Sequence, residues 1–511
     1  MNNWTDGYIA DIEYTYGYYG ELNPLRVAMP FLNVALMPPT IATACELGFG
    51  QGVTVNIHAA ASDVRWYGTD FNPGQAAFAQ SLAESARSGA QLFDQSFGEF
   101  CNRADLPDFD FIALHGIYSW ISDENQRSIL DFVRRKLKVG GVLYISYNTL
   151  PGFAATGPLQ HLLSEHGRVM APPGSPLLGK VDAALEFVEK LMALNPVYGI
   201  VNPSFIERLR QVKNQNRQYV AHEYFNHHWR PLRFADLAES LGEAKLTFAC
   251  SAHYLDHVDA LNLTTDQHRF LAELTDPVFR QTVRDFIVNA QFRRDFWVKG
   301  ARRLPLVDQV EALKQLKIML TGVRSEVALN VTGALGKRDM TPTVYDPILE
   351  ILADHAPKTI GEIEQSLSGA GLRLATIYEA IMVLAGKGDL VVVQDEAAQA
   401  RAKAHTDRLN LRILDRARTS SDLLHMASPV NGGGVAAGRF HQLFLLASRQ
   451  GRQSADEMAQ FAWDTISPQG QRVLREGKTI ESQEDNLAEL AIQARDFIDH
   501  RLSIFQKLQI A

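Results

Sequence analysis

Cysteine is scarce in this chain of 511 residues, which has three, at positions 45, 101 and 250. They lie far apart, so no pair has the spacing of a metal-binding motif, and three are too few for a disulfide framework in a chain of this size. The sequence therefore predicts no metal site and favours a reducing cytoplasm as the location.

Long apolar runs are also missing. No window approaches the ~18 uninterrupted apolar residues that identify a membrane-spanning helix. The opening stretch, MNNWTDGYIADIEY, lacks the basic segment and apolar run of a signal peptide. We therefore expect a cytoplasmic protein without membrane insertion.

The chain has no excess of positive charge: 50 lysines and arginines stand against 58 acidic residues, giving a net charge of −8. Such a protein does not attract phosphate backbones through its overall field, so no nucleic-acid partner is expected. With 46% hydrophobic residues there is enough apolar material for more than one core. At about 150 residues per domain, the length suggests roughly three domains.

Strands and helices alternate between residues 41 and 148, which is typical of a parallel sheet covered by helices on both faces. The apolar spacing within 152–218 instead indicates helices, and we interpret this stretch as an insertion. Two further strands are predicted, at YVAHEYF (219–225) and KLTFACSA (245–252). The fold class is therefore α/β, with a Rossmann-like, seven-stranded core that carries a helical insertion.

The core is predicted to span residues 1–255. A mostly helical middle domain is expected over 256–340, and within it the basic run from Phe292 to Lys299 is predicted to be a solvated helix face. Three helices and a short strand within 341–398 predict a winged-helix-like module. Residues 399–511 are expected to form a C-terminal α+β domain.

The stretch CELGFGQG (45–52) places Gly48, Gly50 and Gly52 in a turn between a strand and a helix. Glycine allows a sharp bend and leaves the backbone open to a ligand, at the position where parallel sheets bind nucleotides. The spacing is not the G-x-G-x-x-G of dinucleotide sites. Because Glu46 would repel a pyrophosphate, it favours a ligand with a cationic end.

Asp70 ends the next strand, 18 positions after Gly52, close to the ~20 expected of an acid that accepts hydrogen bonds from ribose hydroxyls. An adenosine-bearing ligand with an amino-acid tail and no pyrophosphate is S-adenosylmethionine. The sequence therefore predicts S-adenosylmethionine as co-substrate, bound by Glu46, the three glycines, Asp70 and its neighbour Phe71.

Together, ELGFGQG and YGTD resemble the cofactor signature of class I S-adenosylmethionine-dependent methyltransferases. HGIYSW (115–120), YNTLPG (147–152) and ASPVNGGG (427–434) resemble segments of bacterial lysine methyltransferases that modify outer-membrane proteins. The layout of core, regulatory domain, winged-helix-like module and C-terminal domain is also similar. The resemblance covers essentially the whole chain.

This resemblance implies methyl transfer, and places the loop after the fourth strand next to the methyl group. The candidate catalytic residues are His115, Tyr118, Trp120, Tyr147 and Asn148, since aromatic faces stabilise cations and polar groups orient a nucleophile. Tyr118 and Trp120 have an alternative role in packing inward at the start of a helix.

Ser96 and Phe97 are expected beside the adenine, together with His115. Relatives often carry an acid after the serine, and Phe97 takes its place here, which favours stacking and backbone contacts. In the N-terminal segment Tyr16, Tyr18 and Tyr19 are either part of an aromatic acceptor channel or one face of an ordinary helix. Glu223, in the predicted sixth strand, is a candidate to face the pocket.

The acceptor remains open at this point. A protein lysine follows from the resemblance, whereas a small molecule or a precursor of a polysaccharide or secondary metabolite would suit the same core. The non-enzyme alternative is a nucleic-acid-binding regulator with a relic core. It is disfavoured because residues 343–395 contain three basic and eight acidic residues. The sequence does not indicate an oligomeric state.

Overall fold

A seven-stranded sheet lies at the centre of the residues described by the computed structural model, which are 7–8, 15–172 and 174–511. Its strands are β1 (Thr43–Leu47), β2 (Arg65–Asp70), β3 (Gln91–Asp94), β4 (Phe109–Leu114), β5 (Leu137–Asn148), β6 (Thr247–Ser251) and β7 (Phe292–Val298). The spatial order is β3-β2-β1-β4-β5-β7-β6, and β7 runs antiparallel to both of its neighbours. The first five strands lie where the sequence predicts them.

Helices cover both faces of this sheet. They begin with α1 (Ala28–Asn33), α2 (Val53–Ala61), α3 (Pro73–Ala86), α4 (Phe97–Cys101) and α5 (Asp123–Lys136). Consecutive side chains of a strand point to opposite faces. Phe111 accordingly packs in the cluster with α2 and α3, while Ile112 packs in the cluster with α4 and α5. The carboxyl ends of β1, β2 and β4 therefore open onto one edge of the sheet.

The predicted insertion is helical: α6 (Gly157–Val169), α7 (Leu177–Ala193), α8 (Val197–Val201), α9 (Pro203–Lys213) and α10 (Arg217–Tyr224). The strand expected at 219–225 is wrong, because this stretch forms most of α10. The Asn216 side chain caps that helix by accepting hydrogen bonds from the backbone of Gln218 and Tyr219. Val220 and Tyr224, four residues apart, then bury one helical face among the insertion's apolar side chains.

The seventh strand also differs from expectation. After α11 (Phe234–Glu243), α12 (Asp259–Asn262), α13 (Thr265–Glu273) and α14 (Pro277–Ile287), the basic run predicted as a solvated helix face forms the buried strand β7. Arg293 is enclosed because Asp285 and Asp295 pair with it. The sheet thus takes its last strand from beyond residue 255.

The segment after the sheet contains strands as well as helices. Its elements are α15 (Leu306–Gln315), β8 (Lys317–Leu320), β9 (Asn330–Gly333), β10 (Gly336–Asp339), α16 (Pro342–Ile351), β11 (Lys358–Thr359), α17 (Ile360–Ser366), α18 (Leu374–Lys387) and β12 (Leu390–Val392). The expectation of a mostly helical 256–340 is wrong, since β7 to β10 fall inside it. Strand β8 lies between β11 and β12, so the small sheet of the expected winged-helix-like module begins before residue 341.

The C-terminal part packs directly on the methyltransferase-like core. Its elements are α19 (Glu396–Arg416), β13 (His425–Ser428), β14 (Gly433–Ala436), α20 (Arg439–Arg449), α21 (Ala455–Ile466), β15 (Leu474–Arg475), β16 (Lys478–Thr479), α22 (Gln483–Asp496) and α23 (Leu502–Lys507). Ile57 of α2 and Leu82 of α3 belong to the same buried cluster as Leu409 and Ile413 of α19. These two parts of the chain therefore share one hydrophobic core.

The N-terminal segment 15–23 connects these regions. The Tyr18 hydroxyl accepts a hydrogen bond from the backbone N–H of Gly434 at 2.7 Å and lies 3.0 Å from His58 Nε2 of α2. The Asn23 amide donates to the backbone oxygen of Asn431 at 2.9 Å. The glycine-rich loop of the C-terminal part thus holds the segment against the core.

Within the described residues, no helix combines the length and the apolar character needed to cross a membrane.

Candidate active site

The glycine turn after β1 has the conformation that its sequence predicts. Gly48, Gly50 and Gly52 have φ angles of +74°, +57° and +68°, a region that other residues rarely adopt. Gly52 is also the N-terminal cap of α2, and a Cβ atom there would lie 2.4 Å from the Cβ of Ala79 on α3. The turn thus needs glycine for its conformation and for its close contact with α3.

Asp70 lies next to this turn at the end of β2. Its Oδ2 accepts a hydrogen bond from the Gly50 N–H at 2.8 Å, and its Oδ1 accepts one from the Asn72 N–H at 2.9 Å. Burial raises the pKa of the Asp70 carboxyl to about 6, although both hydrogen bonds act to lower it. At neutral pH this carboxylate is ionised and held against the backbone of the turn, where it can accept hydrogen bonds from a ribose.

Glu46 supplies a second buried acid behind the turn. It is 3% exposed, and its Oε2 has no hydrogen-bond partner among the described residues. Burial, and then the negative charge of Asp70, raise the pKa of Glu46 to about 8. A buried acid without a partner suits a ligand that brings a cationic group to it.

A pocket opens in front of the turn, at the carboxyl ends of the strands. Its lining is Tyr8, Gly48, Gly50, Asp70, Phe71, Gln75, Gln95, Ser96, Phe97, His115, Gly116, Ile117, Trp120, Ile121 and Asn125. Every residue predicted to bind the cofactor lies in this wall except Glu46 and Gly52. We call this the donor pocket.

Ser96 and Phe97 have different functions in the donor pocket. Ser96 caps α4 in a reciprocal arrangement with Glu99, whose carboxylate accepts from the Ser96 N–H at 2.9 Å and from its hydroxyl at 2.8 Å. The serine hydroxyl is therefore engaged within the protein. Phe97 contributes an aromatic wall in the place where relatives often carry an acid, and such a ring can bind a flat ligand by stacking.

His115 lies at the end of the donor pocket in an aromatic environment. Its ring stacks on that of Tyr19 at a centroid distance of 3.8 Å, and its Nδ1 is 2.8 Å from the Tyr144 hydroxyl. Burial lowers the pKa of His115 to about 4. The imidazole is thus neutral at pH 7, so it adds no positive charge beside a cationic donor.

A second, smaller pocket adjoins the donor pocket and shares Trp120 with it. Its lining is Trp120, Asn148, Phe153, Thr156, Gln160, Arg208, Glu223, Tyr224 and Trp229. The Trp229 ring lies 5.9 Å from that of Trp120 and 5.5 Å from that of Phe153. We call this the acceptor pocket, because it receives the predicted Asn148 and faces the same tryptophan.

Two of the predicted catalytic residues lie elsewhere. Tyr118 is buried in the cluster on the α5 face of the sheet, and Tyr147 is buried there too, with its hydroxyl donating to Asp295 at 2.8 Å. Neither lines the donor or the acceptor pocket. Tyr118 thus packs inward, which was the alternative to a catalytic role, and Tyr147 is buried in the same cluster.

Several residues of the site carry no recognisable signal in the sequence. Tyr8 and Gln75 line the donor pocket, and Phe153, Arg208 and Trp229 line the acceptor pocket. Of the N-terminal tyrosines, Tyr19 reaches His115, while Tyr16 packs on Phe78 of α3 and Tyr18 on His58 of α2. A tyrosine-rich N-terminus was a usable hint for this region, but it did not indicate which ring enters the site.

The donor pocket fits S-adenosylmethionine. The glycine turn leaves room against the backbone, Asp70 offers acceptors for ribose hydroxyls, and Glu46 offers an unpaired carboxylate for an ammonium group. When bound, this co-substrate supplies a methyl group already activated by its sulfonium. Among the described residues no cluster of three histidine, cysteine or acidic side chains could hold a metal ion.

Comparisons with known proteins agree with this geometry. Residues 216–299 match the model of the family described as a predicted methyltransferase regulatory domain. Protein sll1526 of Synechocystis sp. is 39% identical over 513 residues, covering 99% of this chain and 100% of its own, and RP789 of Rickettsia prowazekii is 23% identical over 60% of this chain and 59% of its own.

The structure of PKMT2 from Rickettsia typhi in complex with AdoHcy superposes with a TM-score of 0.66 at 17% identity, covering 97% of this chain and 100% of that one. That likeness establishes a common fold, and the 39% identical relative establishes a common family over the full length. Together with the regulatory domain and the donor pocket, these findings agree with the co-substrate and the reaction class that the motifs predict. The chain therefore has the fold of the class I S-adenosylmethionine-dependent methyltransferases, carries a methyltransferase regulatory domain at residues 216–299, and belongs to the same family as protein sll1526 of Synechocystis sp..

Proposed function

We propose that the methyl acceptor is the side-chain amine of a protein lysine. The observation that carries this proposal is the acceptor pocket. Its lining includes three aromatic residues, Trp120, Phe153 and Trp229, together with one acid, Glu223. Aromatic faces and a carboxylate complement a cation on a slender aliphatic stem. Because Trp120 also lines the donor pocket, the bound amine would lie next to the methyl group.

The helical insertion supports a macromolecular acceptor. Its helices provide Gln160, Arg208, Glu223 and Tyr224 of the acceptor pocket. The same insertion exposes the apolar side chains of Leu194, Val197, Ile200 and Val201 around α8. An exposed apolar cluster is a common feature of protein-binding surfaces. The HGIYSW and YNTLPG segments and the name of the neighbour PKMT2 agree with this class of acceptor.

Methyl transfer requires little bond chemistry from the protein, because the donor is already activated. The residues must hold the amine in line with the methyl–sulfur bond and keep water out, and orientation of this kind lowers a barrier substantially. Trp120 and Trp229 would fix the amine stem, and Asn148 would orient its head. Asn148 is itself held by its backbone N–H, which donates to the Ser119 hydroxyl at 2.9 Å.

The test is to incubate the protein with S-adenosylmethionine labelled in its methyl group and a bacterial envelope extract. After separation of proteins from small molecules, complete acid hydrolysis should release labelled methyl-lysines from the protein fraction. Label confined to small molecules or polysaccharide precursors would contradict the proposal, as would label on another amino acid. The Asp70→Asn variant, in which we expect weakened donor binding, serves as the background control.

A further inference from the structure

Glu223 is the carboxylate of the acceptor pocket, and it is half-buried near the end of α10. Arg208, on α9, lines the same pocket but directs its Nε to the Tyr224 hydroxyl at 2.8 Å. Within the described part of the chain, no residue forms an ion pair within 4.0 Å of Glu223 or donates a hydrogen bond to it. The carboxylate is thus available to a ligand.

Glu223 also lies close to the donor pocket. Burial, and then the negative charges of Asp70 and Glu223, raise the pKa of Tyr8, whose ring lines the donor pocket. The Tyr8 ring is 5.7 Å from the ring of Phe71, beside Asp70, and 6.0 Å from the ring of His222, which precedes Glu223. Tyr8 is therefore close both to the acid of the donor pocket and to the part of α10 that carries Glu223.

An amine acceptor needs a group that can take up its proton, and Glu223 is the only described residue of the acceptor pocket with a carboxylate for this task. Lysine has an unperturbed pKa of ~10.4, so it arrives as an ammonium ion and must lose a proton before its lone pair can attack. Asn148, Thr156 and Gln160 are neutral, Arg208 is cationic, and the remaining groups are aromatic apart from Glu223. An acid beside the entering nitrogen can bind the ammonium and then accept its proton.

We propose that Glu223 is the ammonium-binding and proton-accepting residue of this methyltransferase, an assignment that rests on the proposed lysine acceptor. One N–H proton passes from the ammonium to the Glu223 carboxylate. The freed lone pair of nitrogen forms the N–C bond to the methyl group while the C–S bond breaks, and its electron pair stays on the sulfur. The products are a methylated ammonium and the neutral thioether AdoHcy.

The charged and titratable groups around Glu223 place its titration in a useful range. Burial raises the pKa of Glu223 to about 7, and the Arg208 guanidinium opposes this shift. Tyr8, Tyr219 and Tyr224 face it from the N-terminal segment and from α10, and its negative charge contributes to the raised pKa of each. A base with a pKa near the working pH is suited to proton transfer.

The binding test uses n-butylammonium chloride as a probe for the lysine head, titrated calorimetrically into the AdoHcy complex. At pH 8 the wild-type complex should bind the probe, and Glu223→Gln should weaken binding by about tenfold, because one charge-assisted contact is lost. Below pH 7 the wild-type affinity should fall as the carboxylate is protonated, while that of Glu223→Gln stays flat. Glu207→Gln is the matched control, since Glu207 lies exposed on α9 and pairs with Arg210.

Equal affinity of Glu223→Gln and the wild type for n-butylammonium would overturn the proposal, as would absence of binding to the wild-type complex. Unchanged AdoHcy affinity verifies that the variant is folded.

Turnover separates this proposal from the one on which it rests. With a protein acceptor identified from the envelope extract, Glu223→Gln should lower kcat/KM by on the order of 100-fold and remove the acidic limb of the pH profile. Wild-type formation of methyl-lysine with an unaltered rate in Glu223→Gln would reject the role of Glu223 and leave the lysine acceptor standing. Absence of methyl-lysine from the wild-type reaction would reject the lysine acceptor itself.

Discussion

Two buried carboxylates, those of Asp70 and Glu46, lie next to the glycine turn, and they differ in their hydrogen-bond partners. Asp70 already accepts two backbone N–H groups of the chain, from Gly50 and Asn72, whereas one oxygen of Glu46 has no partner among the described residues. Asp70 is therefore positioned before any ligand arrives, and Glu46 gains a partner only when one does. We therefore expect Asp70 to contribute to the affinity for AdoHcy, and Glu46 to change its protonation state when AdoHcy binds.

Replacing Asp70 by asparagine should weaken AdoHcy binding by roughly 10- to 100-fold. Charge-assisted hydrogen bonds to the ribose are lost, and the NH2 group of the asparagine would replace the oxygen that accepts from the Gly50 N–H, so that two donors would face each other. Calorimetry on both proteins measures this difference. Asp94→Asn is the control: Asp94 pairs with Asp70 in the sheet register but is exposed at the end of β3. Similar losses in the two variants would remove Asp70 from the ribose site.

Glu46 should make donor binding release a proton. Its pKa of about 8 lies above the usual carboxyl value, so the free protein holds the acid mostly protonated at pH 7. An ammonium group beside it favours the ionised form, and up to one proton leaves. Calorimetry of AdoHcy binding at pH 7, in buffers of different ionisation enthalpy, should detect this release.

The release should diminish as the pH rises past 8, where Glu46 is already ionised, and it should be absent in Glu46→Gln. Binding without proton release at pH 7 would show that Glu46 does not pair with the ammonium.

At the scale of elements, the contact between α2 and α3 depends on Gly52. Alanine there combines a φ of +68° with a Cβ atom 2.4 Å from that of Ala79. Gly89 has a similar φ of +74° and open space around it. Gly89→Ala should therefore cost about 1–2 kcal/mol for the left-handed backbone alone, and Gly52→Ala a further ~1–3 kcal/mol for overpacking. Urea unfolding compares the two, and equal costs would mean that α3 moves aside freely.

The first five strands and their helices could be predicted because each has its own periodicity and its own turn residues. Strand β7 could not be predicted in this way. Its Arg293 can be buried only because Asp285 and Asp295 neutralise its charge, and Asp285 lies on a different element, α14. Helix α10 was mistaken for a strand because its aromatic and β-branched residues favour strands locally, while packing within the insertion decides its conformation.

The donor pocket was largely predictable, since consecutive strand–turn–helix units bring its residues to one edge of the sheet. The acceptor pocket was not, because it joins the loop after β4 to helices of the insertion that lie 40 to 104 residues beyond Trp120 along the chain. Tyr118 and Tyr147 were misplaced for a related reason. A motif gives the loop but not the direction of each side chain, and both tyrosines point into the core.

At the scale of the whole molecule, the core and the C-terminal part should unfold together. The faces of α2 and α3 that carry Ile57 and Leu82 are covered by Leu409 and Ile413 of α19. A chain ending at residue 395 would expose this apolar surface, so we expect it to aggregate or to bind hydrophobic dyes. Scanning calorimetry of the full chain should show both parts melting in one transition, and a separate transition for a stable, isolated core would contradict this expectation.

Trp120 lies in the walls of both pockets, so the donor and the proposed amine acceptor would meet at a single side chain. No covalent enzyme intermediate is needed, since both substrates can be present at the same time. Initial-rate measurements should accordingly give the intersecting patterns of a ternary complex, and bisubstrate compounds that join an adenosyl group to an alkylamine should occupy both pockets across the tryptophan. The linker of such a compound would have to be long enough to pass the indole ring of Trp120 between the two pockets.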